Sequence, residues 1–269
     1  MPAGDSGVDR VEVRDRLAAA VREAGALALE TFRGTPKSWI KGKSSPVSEA
    51  DLAVDALLRQ RLLTIHDAGW LSEETEDDPA RLDRTDVWVV DPIDGTRAYL
   101  AGLPDWVISA ALVSKGRPVV AALYAPVTDE LFLAIADAGA TLNGRPIAAS
   151  AGDRLQGARF SGAKRRLDSL EAVAPGIETM PRVPSLALRI ARVATGALDG
   201  TFAAANSHDW DLAAADLLVH EAGGLISTLT GQSLIYNRPD PVHDALVAAG
   251  RARHAVLLGL IRDRLAEFA

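Results

Sequence analysis

Residues 86–96 read Asp-Val-Trp-Val-Val-Asp-Pro-Ile-Asp-Gly-Thr, and this stretch constrains the fold more than any other. Val87, Trp88, Val89 and Val90 form an unbroken apolar run of strand length. A strand without polar alternation is one covered on both faces, so layers of structure must lie above and below it. At 269 residues the chain is long enough to supply them. The run ends in two acids three positions apart, Asp91 and Asp94, with Pro92 fixing one dihedral and Gly95 permitting a tight turn. Charge is therefore concentrated where a buried strand leaves the core.

The remaining pattern supplies the covering layers. Residues 11–32 place Leu17, Val21, Ala24, Leu27 and Ala28 on one helical face, and Gly34 and Pro36 end the helix. A basic, turn-rich stretch follows, with Lys37, Lys41, Lys43 and Pro46. Ser48 is positioned as an N-cap with Asp51 at the capping-box position, opening a helix that runs to about His66. A short apolar segment at 70–72 enters an acidic loop at 73–78. Residues 107–113, 118–125 and 130–135 predict a strand meander, and Asn143-Gly144 a hairpin turn. After about residue 150 the chain alternates short strands (158–161, 224–228, 245–249) with helices (166–173, 186–195, 210–222, 252–268). The expectation is a mixed α/β chain, one domain of two lobes, 1–150 and 151–269.

Composition excludes other classes. Lys and Arg number 29 against 36 Asp and Glu, a net charge of −7, which argues against a nucleic-acid polymer or an anionic membrane surface as partner. There is no cysteine, which removes disulfides, thiolate metal sites and a cysteine nucleophile. Charges interleave through the first 17 residues without an apolar signal core, and no apolar run approaches a bilayer span. A cytoplasmic location is the expectation, with a small phosphorylated molecule as partner.

Asp91 and Asp94 can aim at one point beyond the strand, as a hard cation with oxygen ligands requires. The Gly95 and Thr96 amides stand at a helix start, where a phosphate oxygen is well received. Taken singly, the same acids also suit a capping turn. Glu73 also suits a solvated loop, Asp211 a first helical turn and Asp51 a cap. Their joint occurrence in order is what distinguishes them.

The segments Ser45-Pro46-Val47-Ser48-Glu49-Ala50-Asp51, Ser72-Glu73-Glu74, Asp91 to Thr96, and Trp210-Asp211-Leu212-Ala213-Ala214 running to Glu221-Ala222-Gly223-Gly224 resemble the inositol monophosphatase superfamily over nearly the whole chain. The resemblance implies alternating α/β/α/β/α layers and a Mg²⁺-dependent, lithium-sensitive phosphomonoesterase holding two or three ions, as monomer or homodimer. It implies that Glu73, Asp91, Asp94, Asp211 and the Ile93 carbonyl are metal ligands. It further implies that Asp51 and Thr96, with Glu73, activate the attacking water.

Among the family's substrates the local residues lean to a 3′(2′),5′-bisphosphate nucleotide. Arg97 follows Thr96 where inositol monophosphatases usually have Asn, although Ala98 departs from the acid usual in nucleotidases. Ala204 stands where inositol monophosphatases carry a Glu that grips inositol hydroxyls. Lys43 replaces an Asp common in nucleotidases, and Asp216 a small residue common in the family. The expected substrate is 3′-phosphoadenosine 5′-phosphate, a by-product of sulfur metabolism. Gly95, Thr96, Arg97, Ser161, Lys164 and Arg189, with Arg165, are the candidates for binding it. An inositol phosphate or sugar phosphate is the alternative. His208 is expected to be a structural or surface histidine, since metal-assisted attack does not require it.

Overall fold

The computed structural model describes residues 9–34, 37–41 and 45–268. Pro36 and Lys43, read above as a helix terminator and a departure from the nucleotidases, lie outside the described residues. The first helix, α1 (Arg10–Thr31), starts at Asp9, whose carboxylate accepts the Val11 and Glu12 amides. Two short strands, β1 (Ser38–Lys41) and β2 (Ser45–Ser48), pair antiparallel and lead into α2 (Glu49–Ile65). Then come β3 (Gly69–Ser72), β4 (Asp86–Asp94), a short α3 (Thr96–Leu100), and the meander β5 (Val107–Ser114), β6 (Arg117–Ala125), β7 (Glu130–Ile135), β8 (Gly139–Leu142) and β9 (Arg145–Pro146).

These strands form a seven-stranded sheet in chain order, β3 to β9, with β3 parallel to β4 and the rest antiparallel. Its two faces explain the unbroken apolar run. Trp88 and Val90 pack with Leu17, Val21, Leu58 and Leu62 of α1 and α2. Val87 and Val89 point the other way, into a cluster with Leu188 and Leu212. Gly25 lets α1 lie close on the sheet, because a Cβ there would come within 2.6 Å of the Tyr124 ring. The β8–β9 turn is Asn143-Gly144, both with positive φ (49° and 76°), the geometry its sequence requests.

The second half begins with β10 (Arg159–Ser161), α4 (Lys164–Val173), β11 (Glu178–Thr179) and α5 (Leu186–Ala194). It continues through β12 (Gly200–Ala203), β13 (Ser207–His208), α6 (Asp209–Glu221) and β14 (Gly224–Thr228). The chain finishes with β15 (Val242–His243), β16 (Leu246–Gly250), α7 (Arg251–Ile261) and α8 (Leu265–Phe268). A five-stranded sheet runs in the order β11-β10-β12-β16-β14. Leu246 and Ala248 of β16 face α5 and α6, while Val247 and Ala249 face Leu167, Leu257 and Ile261 of α4 and α7. The layers therefore alternate: α1 and α2, first sheet, α5 and α6, second sheet, α4 and α7.

The expected helix at 252–268 is interrupted. The chain turns after Ile261 so that Phe268 reaches the Phe202 ring, 5.5 Å between centroids, while Arg166 Nε donates to its carbonyl at 2.7 Å. Asp216 answers to Tyr236, whose hydroxyl donates to it at 2.8 Å, and burial pushes its carboxyl up to about 6. Among the described residues no helix is long and apolar enough to cross a membrane.

Candidate active site

Four elements deliver acids to one place. Strand β4 ends in Asp91 and Asp94, both buried. Opposite Asp91 and Asp94, β5 offers Ser109 and Val107, so β4 carries an extra residue and bulges there. Both carboxylates are turned off the ladder as a result. The Asp91 side chain accepts the Ile93 amide at 3.0 Å, which tightens the bend. Gly95 follows with φ 99°, and a Cβ on it would stand 3.0 Å from the Asp105 carbonyl, so only glycine fits before α3. Helix α6 supplies Asp211 from its first turn, where its Oδ2 accepts the His208 amide at 2.7 Å. The loop after β3 supplies Glu73, whose amide donates to the Val90 carbonyl at 3.3 Å.

Helix α2 contributes two acids from one face. Asp51 Oδ2 accepts both the Ser48 amide (2.8 Å) and its hydroxyl (2.5 Å), which realises the expected cap. Asp51 Oδ1 lies 3.2 Å from Thr96 Oγ1, which is itself 3.1 Å from the Ile93 carbonyl. One turn later, Asp55 accepts Ser72 Oγ at 2.5 Å and Thr75 Oγ1 at 2.6 Å, gripping the loop that bears Glu73 from both sides.

Asp91, Asp94 and Asp211 each present an oxygen within 4.8 Å of the others. With Glu73, Ile93, Gly95, Thr96 and Arg97 they line a cavity of about 450 Å³. The electrostatics of this cluster are under tension. Burial, followed by repulsion from Asp211 and Glu74, pushes Glu73 up to about 8. Burial, with Asp94 next, pushes Asp211 up to about 7. Asp91 is raised by burial and by Glu73, and Asp94 by burial against the hydrogen bonds that Ser185 and Ala187 donate to it. Asp51 is raised by burial against its Ser48 bonds. Convergent buried carboxylates that hinder one another's ionisation are what a hard divalent cation relieves, and the all-oxygen donor set suits Mg²⁺.

The candidates for substrate binding divide. Gly95, Thr96 and Arg97 line the cavity, while Ser161, Lys164 and Arg189 are not among its walls. Lys164 is exposed and pairs with Asp168, at 2.7 Å, one turn along α4. Arg165 is likewise exposed on α4 and absent from the lining. Ser161 is buried and donates to the Pro181 carbonyl at 2.9 Å. Arg189 is buried, donating from Nε to Thr201 Oγ1 (3.1 Å) and from Nη1 to the Val183 carbonyl (2.9 Å), and burial pushes it down to about 10. Two residues of the wall had not been expected, Arg182 and Pro184. Nothing in the local sequence of that loop marks it; the tertiary fold alone brings it to the acids. His208 stacks on Trp210, centroids 4.5 Å apart and planes within 5°, a packing role.

Comparison with known proteins gives the family. The model of the inositol monophosphatase family matches residues 9–265. The Nus factor SuhB of Escherichia coli K12 is 32% identical over 224 residues, covering 79% of this chain and 83% of its own. An inositol-1-monophosphatase of Rhizobium meliloti is 35% identical over 195 residues, 69% of this chain and 73% of its own. Among solved structures, the extragenic suppressor protein suhB of Bartonella henselae superposes with a TM-score of 0.84 at 28% identity, covering 94% of this chain and 99% of its own.

Proposed function

Because the chain belongs to the inositol monophosphatase family, we propose that it is a Mg²⁺-dependent phosphomonoesterase whose preferred substrate is 3′-phosphoadenosine 5′-phosphate. One observation carries the reading: Asp91, Asp94 and Asp211 converge within 4.8 Å beside the Asp51–Thr96 pair, in a cavity that Arg97 and Arg182 also line. Glu73, Asp91, Asp94, Asp211 and the Ile93 carbonyl would hold the metal. When bound, Mg²⁺ offsets phosphate charge and lowers the pKa of water.

The chain's own groups do the rest. Thr96 Oγ1 hydrogen-bonds to Asp51 Oδ1 and to the Ile93 carbonyl; it would pass its own proton to the Asp51 carboxylate as it takes one from the attacking water. The water oxygen bonds to phosphorus, the ester P–O bond breaks, and the sugar oxygen leaves with a proton from solvent. The Gly95 and Thr96 amides at the start of α3 would receive a phosphate oxygen. No side chain need become phosphorylated.

The nucleotide reading is supported by Arg97 on the cavity wall and by alanine at position 204. The Rhizobium relative supports a second reading, an inositol-1-phosphate phosphatase. Phosphate release from 3′-phosphoadenosine 5′-phosphate, inositol 1-phosphate and fructose 1,6-bisphosphate at fixed Mg²⁺ separates them. The nucleotide is expected to lead in kcat/KM by roughly tenfold, the scale of a few differential pocket contacts. A lead for inositol 1-phosphate overturns the nucleotide assignment. No turnover of any ester overturns the phosphatase assignment and leaves a binding role. Lithium is expected to inhibit.

A further inference from the structure

Arg182 sits on a loop segment, 180–185, that is held by hydrogen bonds on both sides of it. The Met180 amide donates to the Phe160 carbonyl at 2.8 Å. Ser161 Oγ donates to the Pro181 carbonyl at 2.9 Å and receives the Val183 amide at 3.4 Å. The buried Arg189 holds the Val183 carbonyl at 2.9 Å. Ser185 Oγ donates to Asp94 at 2.5 Å and takes the Leu188 amide at 3.0 Å. Pro181 and Pro184 fix two further dihedrals. The backbone is thus secured on both sides of Arg182 by side chains that are themselves buried, while Arg182 is exposed and lines the cavity of the acids.

The placement brings both signs of charge to the cavity. Asp91, Asp94 and Asp211 give it negative charge, and Arg97 and Arg182, from separate segments of the chain, add positive charge to its lining. Arg182 is near enough to the buried Arg189 to push its pKa downward, so positive charge accumulates on this wall. A neutral substrate body needs no such wall. A guanidinium presented from rigid backbone loses little entropy on binding, and its planar fork suits a phosphate or carboxylate.

We propose that Arg182 is a specificity-determining residue that binds a second anionic group of the substrate, the one that is not cleaved. The proposal rests on the phosphomonoesterase reading and deepens it. It also assigns Ser161 and Arg189, expected to touch substrate, the task of holding the loop that does.

The test compares two matched pairs, each differing by one phosphate: 3′-phosphoadenosine 5′-phosphate against adenosine 3′-phosphate, and fructose 1,6-bisphosphate against fructose 1-phosphate. The readout is the ratio of kcat/KM within each pair, for wild type, Arg182→Ala and Arg182→Lys. Wild type is expected to favour the doubly phosphorylated member of at least one pair. Arg182→Ala is expected to cut that ratio by about tenfold, chiefly through KM, with Arg182→Lys between the two. If the alanine variant does not fold, as judged by its melting curve, the lysine variant carries the comparison. A wild type without preference in either pair overturns the proposal. So does a variant that weakens both members of each pair alike, or neither. Should inositol 1-phosphate outrun the nucleotide while Arg182→Ala still removes the fructose-pair preference, the nucleotide assignment falls and the role of Arg182 stands.

Discussion

Asp94 is tied to two layers at once: it ends β4 in the first sheet and accepts Ser185 Oγ and the Ala187 amide, at 2.5 and 2.6 Å, from the start of α5. An asparagine keeps the size and an acceptor oxygen but loses the charge. Asp94→Asn is therefore expected to lower kcat by roughly a hundredfold or more, as removal of a positioned electrostatic partner does. Its metal-free melting temperature should not drop, because one of several repelling carboxyls is gone. The stabilisation that Mg²⁺ gives the wild type should vanish in it. A variant that melts far below wild type without metal would mark Asp94 as structural. Thr96→Ala is expected to lower kcat more than it raises KM, on the proposal that Thr96 acts on the water; equal losses would point to substrate binding instead. At this scale the acids were legible through their joint occurrence in order, since taken singly each also suits a turn, a cap, a solvated loop or a first helical turn. Arg182 was not, because the residues around it announce nothing and its position depends on Ser161 and Asp94 from other segments and on Arg189 of the helix that follows. Lys164 and Arg189 misled for the opposite reason. Both have the right chemistry, but one faces solvent beside Asp168 and the other is turned inward to Thr201.

Helix α2 carries two carboxylates one turn apart, with different tasks. Asp51 meets Thr96; Asp55 grips Ser72 and Thr75 and so steadies Glu73 between them. Asp55→Asn is expected to raise the Mg²⁺ concentration needed for half-maximal binding by roughly tenfold or more, on the scale seen when a metal ligand loses its outer support. Calorimetric titration of Mg²⁺ checks this, and an unchanged affinity would separate Asp55 from the metal site. At the turn between β4 and α3, Gly95→Ala meets both a positive φ and the Asp105 carbonyl, and is expected to cost about 1–3 kcal/mol of stability. Thermal melting measures it. The apolar run of β4 predicted burial on both faces, and α1, α2, α5 and α6 supply the cover. The β1–β2 pairing was not visible in advance, since each strand is four residues long and mixes apolar with polar residues in no clear period. The break before α8 was not visible either, because the burial of Phe268 against Phe202 is a tertiary event.

The whole molecule converts these local tensions into a pH dependence. In the metal-free protein Glu73 at about 8, Asp211 at about 7 and Asp216 at about 6 keep protons that the unfolded chain has already released. The folded state binds more protons than the unfolded one across that range, so stability falls as pH rises. These groups contribute fully below about pH 4 and lose their contribution by about pH 8. The metal-free melting temperature is expected to fall by roughly 3 °C or more between pH 5 and 8. Mg²⁺ should remove most of that fall, because metal and protons compete for the same oxygens and affinity strengthens as pH rises. A metal-free protein that is more stable at pH 8 than at pH 5 would contradict the electrostatic description of the cluster. The layered order of helices and sheets matters here, since only the stacking of β4 against α5 and α6 brings Asp91, Asp94 and Asp211 to one point from segments far apart in sequence.

The most direct test of that convergence is phosphate release from 3′-phosphoadenosine 5′-phosphate as Mg²⁺ is titrated into metal-free protein, wild type beside Asp94→Asn. The expected result is saturable turnover that requires Mg²⁺, is abolished by a chelator, and is lost in the variant although it remains folded. Turnover that persists with the chelator, or that survives in Asp94→Asn at the wild-type rate, would contradict it.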